Sequence, residues 1–322
     1  MHVRTTGRGR TAGSGPVLAF TAAVAVLGLT APSAAASVPE HPAPRAGSCG
    51  LLFDDFDYSG TDDGALRDHG WEVRDGQGGP GPSGAYWDED NISFPTVDGA
   101  KALDLQLITN GVADDTTQAE ISQAGNRFLA GTYLARVRFS DAPSQGTDGD
   151  RINQTFFAIS PLDHNGDPTY SELDFSEYLP NGGWGSETSV NTQTSWYTTS
   201  DDGSSSDSQE ARQPGSMDGW HDVMATVADG HVKYFIDGTQ VADHSGKYYP
   251  RRDMTIDFNH WVIDLAYHQG EHSSVYHEAV DYVYHAKNAA QTPAQAGAAV
   301  DELRSAGVGY RDTVDASDDC TP

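Results

Sequence analysis

The sequence predicts an all-β fold in which short strands are stacked as a sandwich. Its 322 residues include 35 glycines and 16 prolines, and aromatic side chains make up 10% of the chain. The apolar runs are short and are interrupted by Gly, Asp, Asn and Pro, which is typical of strands joined by turns. No internal repeat is present, and helical spacing of Ala and Leu appears only near the C-terminus, at residues 293–306, where it predicts a short helix.

Several segments predict strands from their own patterns. Residues 91–107 indicate two strands around a turn at residues 97–99, because Asp-Gly favours tight hairpin turns. In residues 131–139, Tyr133, Ala135 and Val137 alternate with polar neighbours, as expected of a strand with one buried face. Residues 189–196 alternate in the same way.

One further strand carries three carboxylates within six residues, in the run E-L-D-F-S-E. Because side chains alternate between the two faces of a strand, Glu172 and Asp174 share one face while Leu173 and Phe175 point into a core. A β-bulge after Asp174 would bring Glu177 onto the face of the other acids. Three carboxylates on one face repel one another, which keeps at least one protonated near neutral pH. A neighbouring acid and base are what glycoside hydrolysis requires.

This run resembles the E-x-D-x-x-E signature of glycoside hydrolase family 16, which contains β-jelly-roll endo-glucanases, laminarinases, agarases and carrageenases. Further segments resemble strands of that family in the same order: residues 51–57, 118–122, 153–159, 219–227, 232–241, 254–262 and 279–284. The resemblance implies a concanavalin A-like β-jelly-roll sandwich of two antiparallel sheets. The catalytic domain would cover residues 49–286, followed by a tail at 287–322 that contains the short helix.

The resemblance implies a role for each carboxylate. Glu172 would be the nucleophile, and Glu177 the general acid that later activates water, while Asp174 would hydrogen-bond the nucleophile. The implied activity is that of a retaining endo-hydrolase of β-linked polysaccharide, of the β-1,3- or β-1,3-1,4-glucan class. Three alternatives stay open: a solvated acidic face, a lectin-like sandwich that binds sugar without cleaving it, and a polysaccharide lyase on a similar fold. A transglycosylase would use the same covalent intermediate.

Sugar rings are bound by flat aromatic platforms and planar hydrogen-bonding groups, and the sequence offers several. Trp261 matches a cleft position of the family. The other candidates are Asn259, Trp184, Trp196, Asn191, Gln193, Tyr178 and Trp87. A tryptophan in a β-sandwich is, however, more often part of the core than of a cleft.

Catalysis is expected to need no cofactor. The resemblance places Asp55 and Asp281 roughly where some members of the family bind a structural calcium ion through oxygen ligands. The chain also departs from the family in a Ser- and Asp-rich insertion at residues 201–215. We expect this insertion to be either a disordered loop or a rim of the cleft.

The first 36 residues predict a signal peptide of the general secretory route. Three arginines precede an apolar run at residues 17–29, and the alanines at 34–36 offer a cleavage site. The apolar run is shorter than the ~20 residues of a transmembrane helix. Residues 37–48 are rich in Pro and Ala and predict a linker.

The net charge of the chain indicates which classes of partner it can bind. The net charge of −28 opposes binding to nucleic acid or to an anionic membrane, and it favours a neutral glycan as the partner of an extracellular monomer.

Cys49 and Cys320 are an even pair in an exported chain, which predicts a disulfide between the first strand and the tail. Two free thiols are the alternative.

Overall fold

The computed structural model describes residues 49–184, 188–200 and 204–314. The predicted signal peptide and linker, as well as Cys320, lie outside these residues. The strands are β1 Leu51–Asp54, β2 Trp71–Val73, β3 Gly76–Gln77, β4 Tyr86–Trp87, β5 Ile92–Ser93, β6 Thr96–Val97, β7 Ala100–Lys101, β8 Leu103–Thr109, β9 Thr117–Phe128, β10 Gly131–Phe139, β11 Arg151–Ile159, β12 Glu172–Leu179, β13 Val190–Thr198, β14 Asp207–Pro214, β15 Gly219–Ala228, β16 His231–Ile236, β17 Thr239–Ser245, β18 Met254–Asp264, β19 Ser274–Lys287 and β20 Tyr310–Asp312. The helices are α1 Gly64–Asp68 and α2 Pro293–Ser305, with single 3₁₀ turns at Glu89–Asn91, Ala113–Asp115, Gly246–Tyr248 and Leu265–Tyr267.

The longer strands form two antiparallel layers. One layer, called here the cleft sheet, has the order β2–β9–β18–β11–β12–β13–β14. The other, called the outer sheet, has the order β17–β16–β15–β10–β19. The free edge of β19 then pairs with β8 along its first half and with β1 along its last residues. The predicted all-β sandwich with a C-terminal helix is therefore confirmed.

Apolar side chains from the two sheets meet in one core. Phe175 of β12, Phe156 of β11 and Phe258 of β18 are all fully buried, with ring centroids 4.7 Å apart for Phe156 and Phe175 and 4.8 Å for Phe156 and Phe258. Tyr133 of β10 packs against Phe175 from the opposite sheet at 4.8 Å. Each such buried ring contributes roughly 2–3 kcal/mol by leaving water, which fixes the inward face of β12 and, with it, the outward face.

The turn predicted at residues 97–99 is present between β6 and β7, where Thr96 pairs with Lys101 and Val97 with Ala100. Asp98 and Gly99 have φ of 51° and 95°. Positive φ at both central positions is the requirement of the turn that matches the twist of a hairpin.

The insertion at residues 201–215 is not a loop throughout, contrary to the sequence-based expectation. Its residues 207–214 form β14, which pairs with β13 from Thr198 to Val190 and extends the cleft sheet by one edge strand. The side chains of β14 are half-buried or exposed. Polar side chains commonly protect an edge strand from pairing with other chains. Because β14 is polar, its sequence lacks the alternation of apolar and polar residues from which a strand is predicted.

The described part of the tail, residues 287–314, is built into the sandwich. Helix α2 begins with Pro293, after Thr292, whose N–H donates to Gln295 Oε1 at 2.9 Å, and both features are typical of helix starts. It packs Ala296, Val300 and Leu303 against the outer sheet. Strand β20 then pairs with β1. In the described residues, no helix is both long enough and apolar enough to cross a membrane.

Candidate active site

A cleft of about 540 Å³ lies on the exposed face of the cleft sheet, and the carboxyl groups of Glu172, Asp174 and Glu177 line it together. The β-bulge that brings them together is present in β12. Asp174 pairs with Thr194 of β13, and Glu177 pairs with Thr192, so two residues of β12 lie opposite one residue of β13. This extra residue restores Glu177 to the face of the other two acids, as the sequence predicted.

Glu177 has the most polar surroundings of the three. Asn153 Nδ2 donates to its Oε1 at 2.9 Å, and Thr192 Oγ1 donates to its Oε2 at 3.1 Å. Burial raises the pKa of Glu177, while these donors act in the opposite direction. A carboxyl group with a raised pKa can hold a proton near neutral pH, which is what a general acid requires.

Glu172 and Asp174 have fewer donors. Tyr170 donates its hydroxyl hydrogen to Glu172 Oε2, and Trp196 Nε1 donates to Asp174 Oδ2 at 2.9 Å. Burial raises the pKa of Glu172 to about 7, opposed by the Tyr170 bond and assisted by the charge of Glu177. Burial and the two neighbouring glutamates raise the pKa of Asp174 well above its usual range. The three carboxyl groups therefore share fewer than three negative charges near neutral pH.

Strands β9 and β18 carry two more acids into the cleft. Glu120 accepts from Arg74 Nη1 at 3.1 Å through both oxygens and from Asn259 Nδ2 at 3.2 Å. Asp257 accepts hydrogen bonds from the hydroxyl groups of Ser122 and Thr255, and burial raises its pKa to about 8. The cleft is thus rich in carboxyl groups, and its lining arginine is paired.

Four of the eight predicted sugar-binding residues line the cleft: Trp184, Trp196, Asn259 and Trp261. Trp184 is 57% exposed, and its ring centroid lies 5.9 Å from that of Trp261, at an interplanar angle of 48°. These two rings present an aromatic surface beside the acids. Asn259 Oδ1 and Asn153 Oδ1 are buried without a hydrogen-bond partner among the described residues.

The other four predicted sugar-binding residues lie in the interior, and their placement corrects the sequence-based expectation. Asn191 and Gln193 share a face as predicted, but it is the core face of β13, where both are fully buried and Asn191 Oδ1 accepts from Ser176 at 2.6 Å. Tyr178 follows the bulge and also points inward, accepting from Met217 N at 3.1 Å. Trp87 is fully buried, with its Nε1 donating to Gly78 O at 2.7 Å.

Several cleft residues were not predicted as site residues: Arg74, Glu120, Asn153, Tyr170 and Asp257. Sequence reasoning could have indicated Asn153, because Asn153 and Thr155 are polar residues two positions apart, and therefore share one face, in a strand that borders the acidic one. A second signal existed for Asp257, which is two positions before Asn259. For Arg74 and Tyr170 the signal was missing, because both reach the cleft from outside the patterned strands.

Asp55 and Asp281 do not fit a calcium site. Both line one cavity together with Arg304 of α2, and the Arg304 guanidinium donates to the two carboxyl oxygens of Asp281 at 2.7 and 3.0 Å. A calcium ion would have to share this carboxylate with a fixed positive charge. Among the described residues, no group of three or more His, Cys, Asp or Glu side chains is arranged to hold a metal ion.

Solved structures share this fold. A β-glucanase of Bacillus licheniformis is 16% identical, with a TM-score of 0.53 over 76% of this chain and 100% of its own. A glycoside hydrolase family 16 endo-glucanase from Bacteroides ovatus is 14% identical, with a TM-score of 0.53 over 72% and 98%. The chain has the jelly-roll fold of these enzymes. A β-1,3-1,4-glucanase (lichenase) derived from a mouse hindgut metagenome is 21% identical, with a TM-score of 0.52 over 73% and 98%. No protein-family model and no curated protein matches the sequence.

Proposed function

We propose that this protein is a secreted, monomeric, retaining endo-glycoside hydrolase that cleaves a neutral β-linked polysaccharide. The observation that carries the proposal is the bulged strand β12, which brings Glu172, Asp174 and Glu177 into one cleft with different hydrogen-bond partners. Retaining glycosidases need two carboxyl groups in opposite protonation states that flank the scissile bond, one at the anomeric carbon and one at the leaving oxygen. Glu172 and Glu177 are hydrogen-bonded by different side chains, Tyr170 for the former and Asn153 and Thr192 for the latter, so the two carboxyl groups are not equivalent.

In the first half of the proposed reaction, a carboxylate oxygen of Glu172 attacks the anomeric carbon. The bond between that carbon and the glycosidic oxygen breaks, and the leaving oxygen takes the proton of Glu177. A covalent glycosyl ester on Glu172 results. Asp174, with its raised pKa, keeps a proton between the two glutamates and limits the repulsion between them.

In the second half, Glu177 is ionised and acts as the base. It removes a proton from a water molecule, whose oxygen attacks the anomeric carbon while the ester bond to Glu172 breaks. Both residues return to their starting states, and two inversions leave the sugar with its original configuration. The donors Asn153 and Thr192 stabilise Glu177 during the interval in which it carries the charge.

The lining of the cleft favours an uncharged sugar. Its acidic groups would repel sulfate or uronate groups, and Arg74 is already paired with Glu120. Trp184 and Trp261 offer flat surfaces on which pyranose rings can stack, and the amide side chains of Asn153 and Asn259 line the same cleft. Because solved structures with this fold include β-glucanases and a β-1,3-1,4-glucanase, we propose β-1,3- or β-1,3-1,4-glucan as the substrate.

The proposal is tested by reducing-sugar release from laminarin, barley β-glucan, agarose, carrageenan and xyloglucan. Wild type and Glu172→Gln are compared, with Asp264→Asn, outside the cleft lining, as a matched control. We expect activity on a glucan that is lost in Glu172→Gln and kept in the control. Binding without cleavage would favour a lectin, an unsaturated product would indicate a lyase, and elongated oligosaccharides would indicate transglycosylation.

A further inference from the structure

Tyr170 contacts the proposed nucleophile from outside the acidic strand. It lies two residues before Glu172, lines the cleft, and is 2% exposed. Its hydroxyl group donates to Glu172 Oε2. Burial and the neighbouring charge of Glu172 raise the pKa of Tyr170 far above the physiological range, so the phenol keeps its hydrogen and remains a donor throughout the reaction.

The backbone around Tyr170 is held in place by side chains from two other segments. The Arg251 guanidinium donates to the carbonyl oxygen of Tyr170 and, at 2.6 Å, to that of Tyr197. Arg251 N donates to Ser171 Oγ at 2.8 Å, and Ser171 N donates to Ser160 Oγ at 2.9 Å. Because these contacts fix the main chain on both sides of the ring, the phenol oxygen has a defined position relative to Glu172.

We propose that Tyr170 is a positioning residue, whose hydroxyl group holds the Glu172 carboxylate ionised and oriented for attack on the anomeric carbon. This inference rests on the proposed function. When the glycosyl ester forms, the charge on Glu172 falls and the bond to Tyr170 weakens. When the ester bond breaks, the returning carboxylate regains a strong donor, which assists the second half of the reaction.

The acidic groups near Glu172 act against its ionisation. They are Asp174 and Glu177 on β12, Asp257 on β18 and, through Asp174 and Glu177, Glu210 on β14. Arg74 also lines the cleft, but its guanidinium is paired with Glu120. Trp196, which lies opposite Glu172 in β13, gives its N–H to Asp174 instead. Tyr170 therefore supplies the stabilisation of the Glu172 charge that its neighbours do not.

The test compares the pH dependence of kcat/KM for wild type and Tyr170→Phe. Loss of the donor raises the pKa of Glu172, so the acid limb is expected to move up by about one pH unit, with a lower kcat and little change in KM. Tyr248→Phe is the matched control, because it also removes a phenol–carboxylate hydrogen bond, to Asp207 at 3.0 Å, but lies outside the cleft lining. Its acid limb is expected to coincide with that of wild type.

If Tyr170→Phe folds poorly, a second variant takes its place in the test. Tyr170→3-fluorotyrosine keeps the shape and strengthens the donor, so the acid limb is expected to move down. Carbon-13 NMR titration of labelled glutamate carboxyl groups, assigned with Glu172→Gln, reads the same effect without substrate. If wild type cleaves no polysaccharide but the NMR titration shows a higher Glu172 pKa in Tyr170→Phe, the proposed function is refuted while the contact between Tyr170 and Glu172 is supported. If neither the limb nor the titration moves, the role of Tyr170 is refuted.

Discussion

Glu177 and Glu172 receive their hydrogen bonds from different neighbours, so the two limbs of the pH profile can be addressed separately. Asn153 Nδ2 donates to Glu177 Oε1 at 2.9 Å and lowers its pKa. In Asn153→Ala that donor is lost and the pKa of Glu177 rises. Because the general acid must be protonated, the basic limb of kcat/KM is expected to move up by about half to one pH unit. An unchanged basic limb would contradict the assignment of Glu177.

Asp257 predicts a pH dependence of stability. Its pKa is about 8 in the folded protein and 3.8 as the ordinary value, so the folded state binds the proton more tightly. The stabilisation by this proton is present below pH 3.8 and is lost as pH rises towards 8. Between pH 6.5 and 8.5, we expect the Tm of Asp257→Asn to fall less than that of wild type. The difference should be about 2–4 °C for each kcal/mol by which wild type loses additional unfolding free energy.

Scanning calorimetry at several pH values checks this expectation. The buried histidines His260 and His285, whose pKa is lowered to about 3 by burial, lose their proton in the unfolded state as pH rises past 6.5, and this contribution is the same in wild type and in Asp257→Asn. Equal slopes for wild type and Asp257→Asn in this window would show that Asp257 is ionised in the folded protein.

The sequence predicts the acidic face of β12 but not the faces of its neighbour β13. Leu173 and Phe175 mark the core side of β12, and the bulge follows from the spacing of the acids. For β13, the pattern shows only that Asn191 and Gln193 point the same way. Which way depends on the register across the bulge, where Thr192 lies opposite Glu177, and a shift by one residue exchanges the faces of a strand.

Among the secondary-structure elements, the last ones described, α2 and β20, extend the sandwich. Apolar spacing predicts α2, because Ala296, Val300 and Leu303 form its buried stripe. Strand β20 has three residues, of which none is fully buried, and β14 is polar. Both strands are formed by pairing with a partner already present in the sheet, and no periodicity in their own residues indicates that partner.

Arg304 of α2 fixes this element to the outer sheet through Asp281. In Arg304→Ala, loss of the paired hydrogen bonds is expected to cost about 1 kcal/mol, since the arginine is partly exposed, and the Tm should fall by about 2–4 °C. Removal of calcium by EDTA is expected to leave the wild-type Tm unchanged. Calorimetry with and without EDTA and added calcium checks both. A Tm of Arg304→Ala equal to that of wild type would contradict the role assigned to Arg304, and a wild-type Tm that falls with EDTA and recovers with calcium would show that bound calcium stabilises the protein.

In the whole molecule, the first and the last of the described residues lie side by side at the outer sheet. Cys49 N donates to Lys287 O at 3.1 Å, and Thr313 N donates to Leu51 O at 2.8 Å. The tail therefore runs beside the first strand, which supports the predicted disulfide between Cys49 and Cys320. If it forms, reduction should destabilise the protein by about 2–4 kcal/mol.

Thermal melts with and without dithiothreitol test the disulfide, with Cys320→Ser as control. Wild type is expected to lose several degrees of Tm on reduction, to the level of Cys320→Ser, which should not respond. Two reactive thiols in the unfolded, unreduced wild type would show that the cysteines are free.

The proposed mechanism requires Glu172 to form a covalent bond to the sugar. Its most direct test is intact-mass and peptide mass spectrometry after incubation with an activated 2-deoxy-2-fluoro β-glucan oligosaccharide, which slows the hydrolysis of a glycosyl ester. We predict one added glycosyl group on the peptide that contains Glu172, and none in Glu172→Gln. Attachment to another carboxylate, or turnover of the glucan without any trapped ester, would contradict the mechanism.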